Sequence, residues 1–223
     1  MQTEKVKLIC LPHAGSYVDG YARLKLFLDD HIEQILIEYP GHGRKHREPL
    51  IPTLEGLAEV IYEEIKPHLY SKYAFYGHSM GGRMSWLVSR KLQELNQRLP
   101  VSLFISGCPA PSAPFMTPDD INFRTVSNLT GPGMEELREM FYPIIENDIK
   151  AVDDYQYEKR EPLPIPITVL YGMDDTFPAE DFRKWEMETA SNFAIHKFPG
   201  DHFFNFKYFN QIGRIINQGL GCL

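Results

Sequence analysis

Cysteine is scarce in this chain of 223 residues: it has three, Cys10, Cys108 and Cys222. Three cannot all pair with one another, and their positions have no metal-ligand spacing. Cys10 and Cys108 fall in apolar stretches, where buried structural thiols are expected. This usage points to a reducing cytoplasm rather than a disulfide framework. Long apolar runs are missing, so no membrane-spanning segment is expected. The start, Met1-Gln2-Thr3-Glu4-Lys5, lacks the basic opening and apolar run of a signal peptide. Positive charge is in deficit, with 23 Lys and Arg against 30 Asp and Glu. A net charge of −7 argues against nucleic acid as a partner. There is no internal repeat and no low-complexity tract. With 43% hydrophobic and 24% charged residues, the composition is that of a globular protein, read as one domain over residues 1–223.

The remaining pattern alternates strand-like and helix-like segments, the mark of an α/β fold on a mostly parallel sheet. Strands are expected at Val6–Leu11, Gln34–Tyr39, Tyr73–Tyr76, Val101–Ser106, Ile167–Tyr171 and Phe193–Phe198. Tyr21, Leu24 and Leu28 predict a helix behind Asp19. Thr53 is placed to cap a helix whose apolar face is Leu54, Leu57, Ala58, Ile61 and Ile65. Met80, Met84, Leu87, Val88, Leu92 and Leu95 recur at helical spacing, and a last helix is expected from about Phe206 to Gly219. The stretch from Cys108 to Pro166 breaks the rhythm and is too long for a simple connection. It shows helical patches, notably Met134 to Val152, and no further strand. Residues 110–165 carry eleven acidic against five basic side chains. They are read as a helical insertion covering one end of the sheet.

Gly77-His78-Ser79-Met80-Gly81 stands where a buried strand would meet a helix. The bare Gly-x-Ser-x-Gly pattern arises by chance in roughly 7% of chains this long. The strand before it, the helix after it and the extra Gly82 sharpen the signal. A tight strand-to-helix turn lifts a serine hydroxyl above the sheet and sets a backbone N–H beside it.

A serine hydroxyl needs a base, and the base needs an orienting carboxylate. The strand Ile167–Tyr171 runs into Gly172-Met173-Asp174-Asp175, which offers two carboxylates. The next strand runs into Pro199-Gly200-Asp201-His202, which offers a histidine before the last helix. An oxyanion hole needs two N–H donors. One would be the amide of Met80, and the other an amide in the glycine-containing loop Pro12-His13-Ala14-Gly15-Ser16. His13 and His78 are read as loop and elbow residues rather than bases.

At this point the chain resembles the type II thioesterases, the stand-alone α/β-hydrolases that accompany nonribosomal peptide and polyketide synthases. The resemblance spans essentially the whole chain. Its carriers are Leu11-Pro12-His13-Ala14-Gly15, Tyr39-Pro40-Gly41-His42-Gly43, Gly77-His78-Ser79-Met80-Gly81-Gly82, Pro118-Asp119-Asp120, Gly172-Met173-Asp174-Asp175 and Gly200-Asp201-His202. It implies Ser79 as nucleophile, Asp175 as orienting acid, His202 as base, and the amides of Ala14 and Met80 as the oxyanion hole. It implies that the insertion is a helical lid, with Phe115, Met116, Phe141 and Tyr142 as candidate pocket residues. It implies acyl thioesters on carrier-domain phosphopantetheine as substrate, the carrier domains as partner, and a monomer. The expected chemistry uses no metal and no cofactor of the enzyme's own. The chain departs from the pattern at His13, Ser16 and Asp201, where relatives often carry an aromatic, a glycine and a glycine.

The run Arg44-Lys45-His46-Arg47 follows the second strand and should share the sheet end of Ser79. Arg44, Lys45 and Arg47 are therefore candidates for steering an acidic carrier domain. A solvated loop is the simpler reading. Competing functions are a general acyl-CoA thioesterase or carboxylesterase on the same fold, and a catalytically silent protein that only binds.

Overall fold

The computed structural model describes residues 5–114 and 134–221. Six strands form one sheet: β1 Val6–Leu11, β2 Ile32–Leu36, β3 Tyr73–His78, β4 Leu103–Ser106, β5 Ile167–Gly172 and β6 Phe193–Phe198. The α-helices among the described residues are α1 Leu54–Ile65, α2 Met80–Glu94, α3 Met134–Asp154, the short α4 Ala179–Arg183 and α5 Phe204–Leu220. Every neighbouring strand pair is parallel, in the order β2-β1-β3-β4-β5-β6.

A parallel sheet needs cover on both faces, and its central strands β3 and β4 are buried along their whole length. Side chains alternate across the sheet with period two. Ile9, Leu11, Tyr73, Phe75, Leu103, Ile105, Ile167 and Val169 enter one core, shared with α1 and α2. Val6, Leu8, Cys10, Ala74, Tyr76, Phe104 and Leu170 enter the other, closed by α5 and the turn segment 18–27. Cys10 and Cys108 are buried free thiols. Burial pushes them up to about 12 and about 11, so both stay protonated. Cys222 lies outside the described residues. Among the described residues no helix is long and apolar enough to cross a membrane.

Most expected elements are present, and Thr53 caps α1 by accepting the Gly56 N–H at 3.1 Å. Three expectations need correction. The segment behind Asp19 is a 3-10 helix, Val18–Phe27, not an α-helix. Its buried residues Val18, Tyr21 and Leu24 recur every third position, which lines up one face at three residues per turn. Leu28 ends it rather than joining that face. The second strand pairs over Ile32–Leu36 rather than Gln34–Tyr39. Its pairing stops where β1 gives way to Pro12, which has no N–H to continue a ladder. The fourth strand pairs from Leu103, not Val101.

Within the stretch 110–165, α3 is one continuous helix of 21 residues. The return segment after α3 is tied to the C-terminal half of α2. It runs along α2, where the Arg90 guanidinium donates to the Glu161 carbonyl and Arg160 pairs with Glu94. Tyr157 donates to Glu188 at 2.7 Å.

The strand order has one physical consequence for function. The connections from β1 and β3 leave in opposite directions, so a crevice opens between the carboxyl ends of these two neighbours. The loop Pro12–Ser16 follows β1 and the Ser79 turn follows β3.

Candidate active site

Ser79 sits between β3 and α2 with φ +54° and ψ −121°, backbone that an L-residue rarely adopts. Such strain costs on the order of 1–3 kcal/mol and persists only where the surroundings enforce it. Here they do. The Ser79 N–H donates to the Ser106 carbonyl of β4 at 2.7 Å, and the Ser79 carbonyl accepts from Gly82 at 2.9 Å. The flanking glycines are required by space. A Cβ on Gly77 would stand 2.1 Å from the Gly81 carbonyl oxygen, and one on Gly81 would stand 2.0 Å from that of Leu11. The elbow is therefore wedged against the end of β1, directly beside the Pro12–Ser16 loop.

His202 reaches this serine from the loop between β6 and α5. Its Nε2 lies 2.9 Å from Ser79 Oγ, and its Nδ1 lies 3.0 Å from Asp175 Oδ2. A carboxylate accepts and does not donate, so Nδ1 carries the proton and Nε2 is free to accept from the hydroxyl. The Asp175 side chain is fully buried, whereas that of His202 is 22% exposed. Asp175 Oδ1 also accepts the Phe177 N–H at 3.4 Å and the Thr176 hydroxyl at 3.5 Å. The neighbouring Asp174 is exposed, and only its amide is tied in, to the Gly200 carbonyl at 2.9 Å. Of the two carboxylates after β5, Asp175 alone faces His202.

Two other histidines surround the site without reaching the serine proton. His78 is buried, with Nδ1 2.9 Å from Ser106 Oγ and its ring 5.2 Å from that of His202. Burial, then the proximity of His202 and His13, holds His78 well below the usual imidazole range. The Tyr21 hydroxyl accepts the His13 N–H at 3.2 Å and lies 2.6 Å from His13 Nδ1, to which it donates its own proton. Burial first, and His202 second, push His13 down to about 3. Both rings stay neutral beside His202 and add no charge that would compete with it.

The loop after β1 is held at three points. Tyr39 donates to the Pro12 carbonyl at 3.0 Å, Tyr21 engages the His13 amide, and Asp148 of α3 accepts the Gly15 N–H at 2.8 Å. Among the described residues, neither the Ala14 amide nor the Met80 amide donates to a protein acceptor. Two unspent N–H groups thus remain at the crevice, one in the loop after β1 and one directly after Ser79. Sequence reasoning gave no role to Asp148 or His42. They lie 106 positions apart, and nothing local to either marks the bond between them.

The other candidate residues scatter. Phe141 packs with Ile145 and Ile149 of α3 against Ala14, and Tyr142 is 38% exposed. Phe115 and Met116 lie outside the described residues, as does Pro118-Asp119-Asp120. The basic run follows β2, which is parallel to β3, so it stands at the carboxyl edge with Ser79. Two of its charges are already matched: Arg44 pairs with Asp19 at 2.7 Å and Lys45 with Glu64 at 2.5 Å. Arg47 is exposed and has no ion pair among the described residues.

Comparison with known proteins gives a consistent result. A family described as "Thioesterase domain" matches residues 6–220. The chain is 30% identical over 212 residues to the gramicidin S biosynthesis protein GrsT of Aneurinibacillus migulanus, covering 90% of this chain and 83% of that protein. It is 28% identical to the thioesterase PikA5 of Streptomyces venezuelae, covering 96% and 81%. Among solved structures, ClbQ from the colibactin NRPS/PKS pathway superposes with a TM-score of 0.88 at 28% identity, covering 98% of both chains.

Proposed function

Because this chain belongs to the thioesterase domain family, we propose that it releases acyl groups held as thioesters on the phosphopantetheine arm of synthase carrier domains, through an acyl-enzyme on Ser79. One observation carries the reading. His202 bridges the Ser79 hydroxyl and the buried Asp175 carboxylate at 2.9 and 3.0 Å, in the tautomer that a general base requires.

The steps follow from that geometry. His202 Nε2 takes the Ser79 proton as Oγ attacks the thioester carbonyl carbon. The carbonyl oxygen gains negative charge and is met by the amides of Ala14 and Met80. The C–S bond breaks as the tetrahedral centre collapses, and His202 returns the proton to the departing thiolate. Water then enters, gives its proton to His202 and attacks the acyl-Ser79 carbonyl. Collapse releases the carboxylic acid and restores the serine hydroxyl. Asp175 stays ionised throughout, orienting His202 and stabilising the imidazolium. The route draws only on the chain's own groups and water.

The carrier-bound substrate is supported by the relatives, one named for gramicidin S biosynthesis and one for the colibactin NRPS/PKS pathway. A synthase of that kind works in the cytoplasm, where the two buried thiols would remain reduced. The apolar side chains that α3 presents toward Ala14, Phe141 among them, would take the acyl chain. Carrier domains are commonly acidic, and Arg47 offers them an exposed cation beside the crevice.

Acyl groups of different length, loaded on carrier domains and on coenzyme A, would test the reading, with hydrolysis followed by intact-protein mass. Faster release from carrier than from coenzyme A is expected. The Ser79→Ala variant should lose turnover by roughly 10⁴-fold or more. Near-full hydrolysis by Ser79→Ala would overturn the mechanism, and equal rates on both thioesters would leave a general acyl thioesterase. A fluorophosphonate that fails to label Ser79 would indicate a silent binding protein.

A further inference from the structure

Among the described residues of the acidic stretch 110–165, one carboxylate is buried. Asp148 of α3 is 3% exposed, and so is His42, which follows β2. Asp148 Oδ2 accepts from the Gly15 N–H and from His42 Nε2, both at 2.8 Å. Its Oδ1 accepts from Asn147 Nδ2 at 3.2 Å, and the same Asn147 amide reaches the Ile51 carbonyl at 3.0 Å.

The proton count at His42 is set by its partners. Its Nδ1 lies 2.9 Å from the Pro40 carbonyl, which can only accept. Its Nε2 faces a carboxylate, which also accepts. Both ring nitrogens therefore donate, and His42 is an imidazolium paired with Asp148. A buried charge without a partner is strongly destabilising, so each of these two holds the other in place.

What that pair grips is the loop beside Ser79. Gly15 has φ +70°, and a Cβ there would stand 2.2 Å from Ile145 Cγ1 on the same helix. Ile145 and Asp148 are one turn apart on α3 and enclose Gly15 between a methylene wall and a charged acceptor. The preceding residue is Ala14, whose amide is unspent. Fixing the Gly15 N–H fixes the peptide plane that follows Ala14, and so restricts where the Ala14 N–H can point.

We propose that Asp148, held by His42, is a positioning residue that aims the Ala14 amide at the developing oxyanion. This rests on the reading of Ala14 and Met80 as the oxyanion donors. It makes the geometry of the site conditional on α3 being seated, because the anchor comes from the insertion rather than from the strand that carries the loop. The charge also has a direct use. An N–H to carboxylate bond is about twice as strong as a neutral one, which fixes a glycine that would otherwise be free to move over a wide range of backbone angles.

Removing an oxyanion donor costs roughly 10²- to 10³-fold in kcat, so misaiming one should cost about 10- to 100-fold. The test compares Asp148→Ala and Asp148→Asn with wild type on a small acyl thioester, per active site titrated. It adds the affinity of a trifluoromethyl ketone thioether, which forms a hemiketal oxyanion on Ser79, and of its non-electrophilic sulfide analogue. Expected results are a kcat lowered about 10- to 100-fold in Asp148→Ala, with KM moved less than about threefold. Affinity for the ketone should fall in parallel while affinity for the sulfide holds. Asp148→Asn can still accept the Gly15 N–H without charge, and should fall between the two. A folded Asp148→Ala with kcat within twofold of wild type would overturn the proposal. So would loss of ketone and sulfide binding to the same degree. If Asp148→Ala does not fold, a wild-type kcat in Asp148→Asn overturns it. Wild type that forms no adduct with the ketone at Ser79 would instead overturn the underlying mechanism.

Discussion

Replacing Asp175 with asparagine inverts the chemistry of the site without changing its shape. Oδ1 of Asp175 accepts the Phe177 amide and the Thr176 hydroxyl, and Oδ2 accepts from His202 Nδ1. An asparagine must keep its single carbonyl oxygen toward Phe177 and Thr176, because an NH₂ there would face donors. Its NH₂ then points at His202 Nδ1, which must accept. The imidazole is forced into the other tautomer, with a proton on Nε2, 2.9 Å from Ser79 Oγ. A nitrogen that already carries a proton cannot take the serine's. The fully buried side chain leaves no room for water to relieve the mismatch. A tautomer error of this kind costs about 10⁴-fold in kcat in an analogous triad, or about 5.4 kcal/mol at 1.36 kcal/mol per decade. The assay is thiol release from an N-acetylcysteamine thioester under saturating substrate, with thermal melting as the folding control. Asp174→Asn serves as the neighbour control and should stay within about twofold of wild type, since Asp174 is exposed. A folded Asp175→Asn enzyme within tenfold of wild type would refute the reasoning, as would collapse of Asp174→Asn.

Three further outcomes are expected. Gly81→Ala places a methyl 2.0 Å from the Leu11 carbonyl oxygen and 2.7 Å from that of Pro12, both backbone. It should destabilise by about 1–3 kcal/mol in denaturant melts and cut hydrolysis at least tenfold, as β1 and the elbow are driven apart. Arg47→Glu should raise KM for a carrier-bound acyl group several-fold at low salt and leave a small thioester unchanged; equal effects on both would mark Arg47 as a solvated side chain. Stability against pH should show His42 with one sign and His13 and His78 with the other. For His42, burial alone lowers the pKa, but the hydrogen bond and charge of Asp148 more than offset it, and the net shift is upward. Its contribution is therefore complete below the unfolded value near 6.5 and is lost as pH rises through the folded value. For His13 and His78 the folded pKa is lowered, so stability falls as pH drops below about 6.5. The difference in melting temperature between wild type and His42→Gln, followed from pH 5 to 9, should shrink with rising pH. A difference that grows instead would contradict the imidazolium assignment.

What the sequence determined by itself is local. Short apolar runs in Val6–Leu11 and Ile167–Tyr171, helical spacing in Leu54–Ile65, and the Thr53 cap each follow from chain geometry over a few residues, so they were legible without a fold. The Ser79 turn was legible as a local pattern, and Gly77 answers a clash with Gly81 four residues on, whereas the clash that Gly81 avoids is with Leu11, which only the fold brings near. Chain order even placed His202 and the Asp174-Asp175 pair at strand ends. Tertiary structure decided the rest. Which of two adjacent carboxylates turns inward depends on Phe177, Thr176 and the β6 loop. Whether Arg44 and Lys45 are free cations depends on Asp19 and Glu64. The three-residue repeat at Val18, Tyr21 and Leu24 became a 3-10 helix packed on α5. The bond from Asp148 to Gly15 and His42 joins positions more than a hundred residues apart. No propensity encodes it, because its energy exists only once water is excluded from all three groups together.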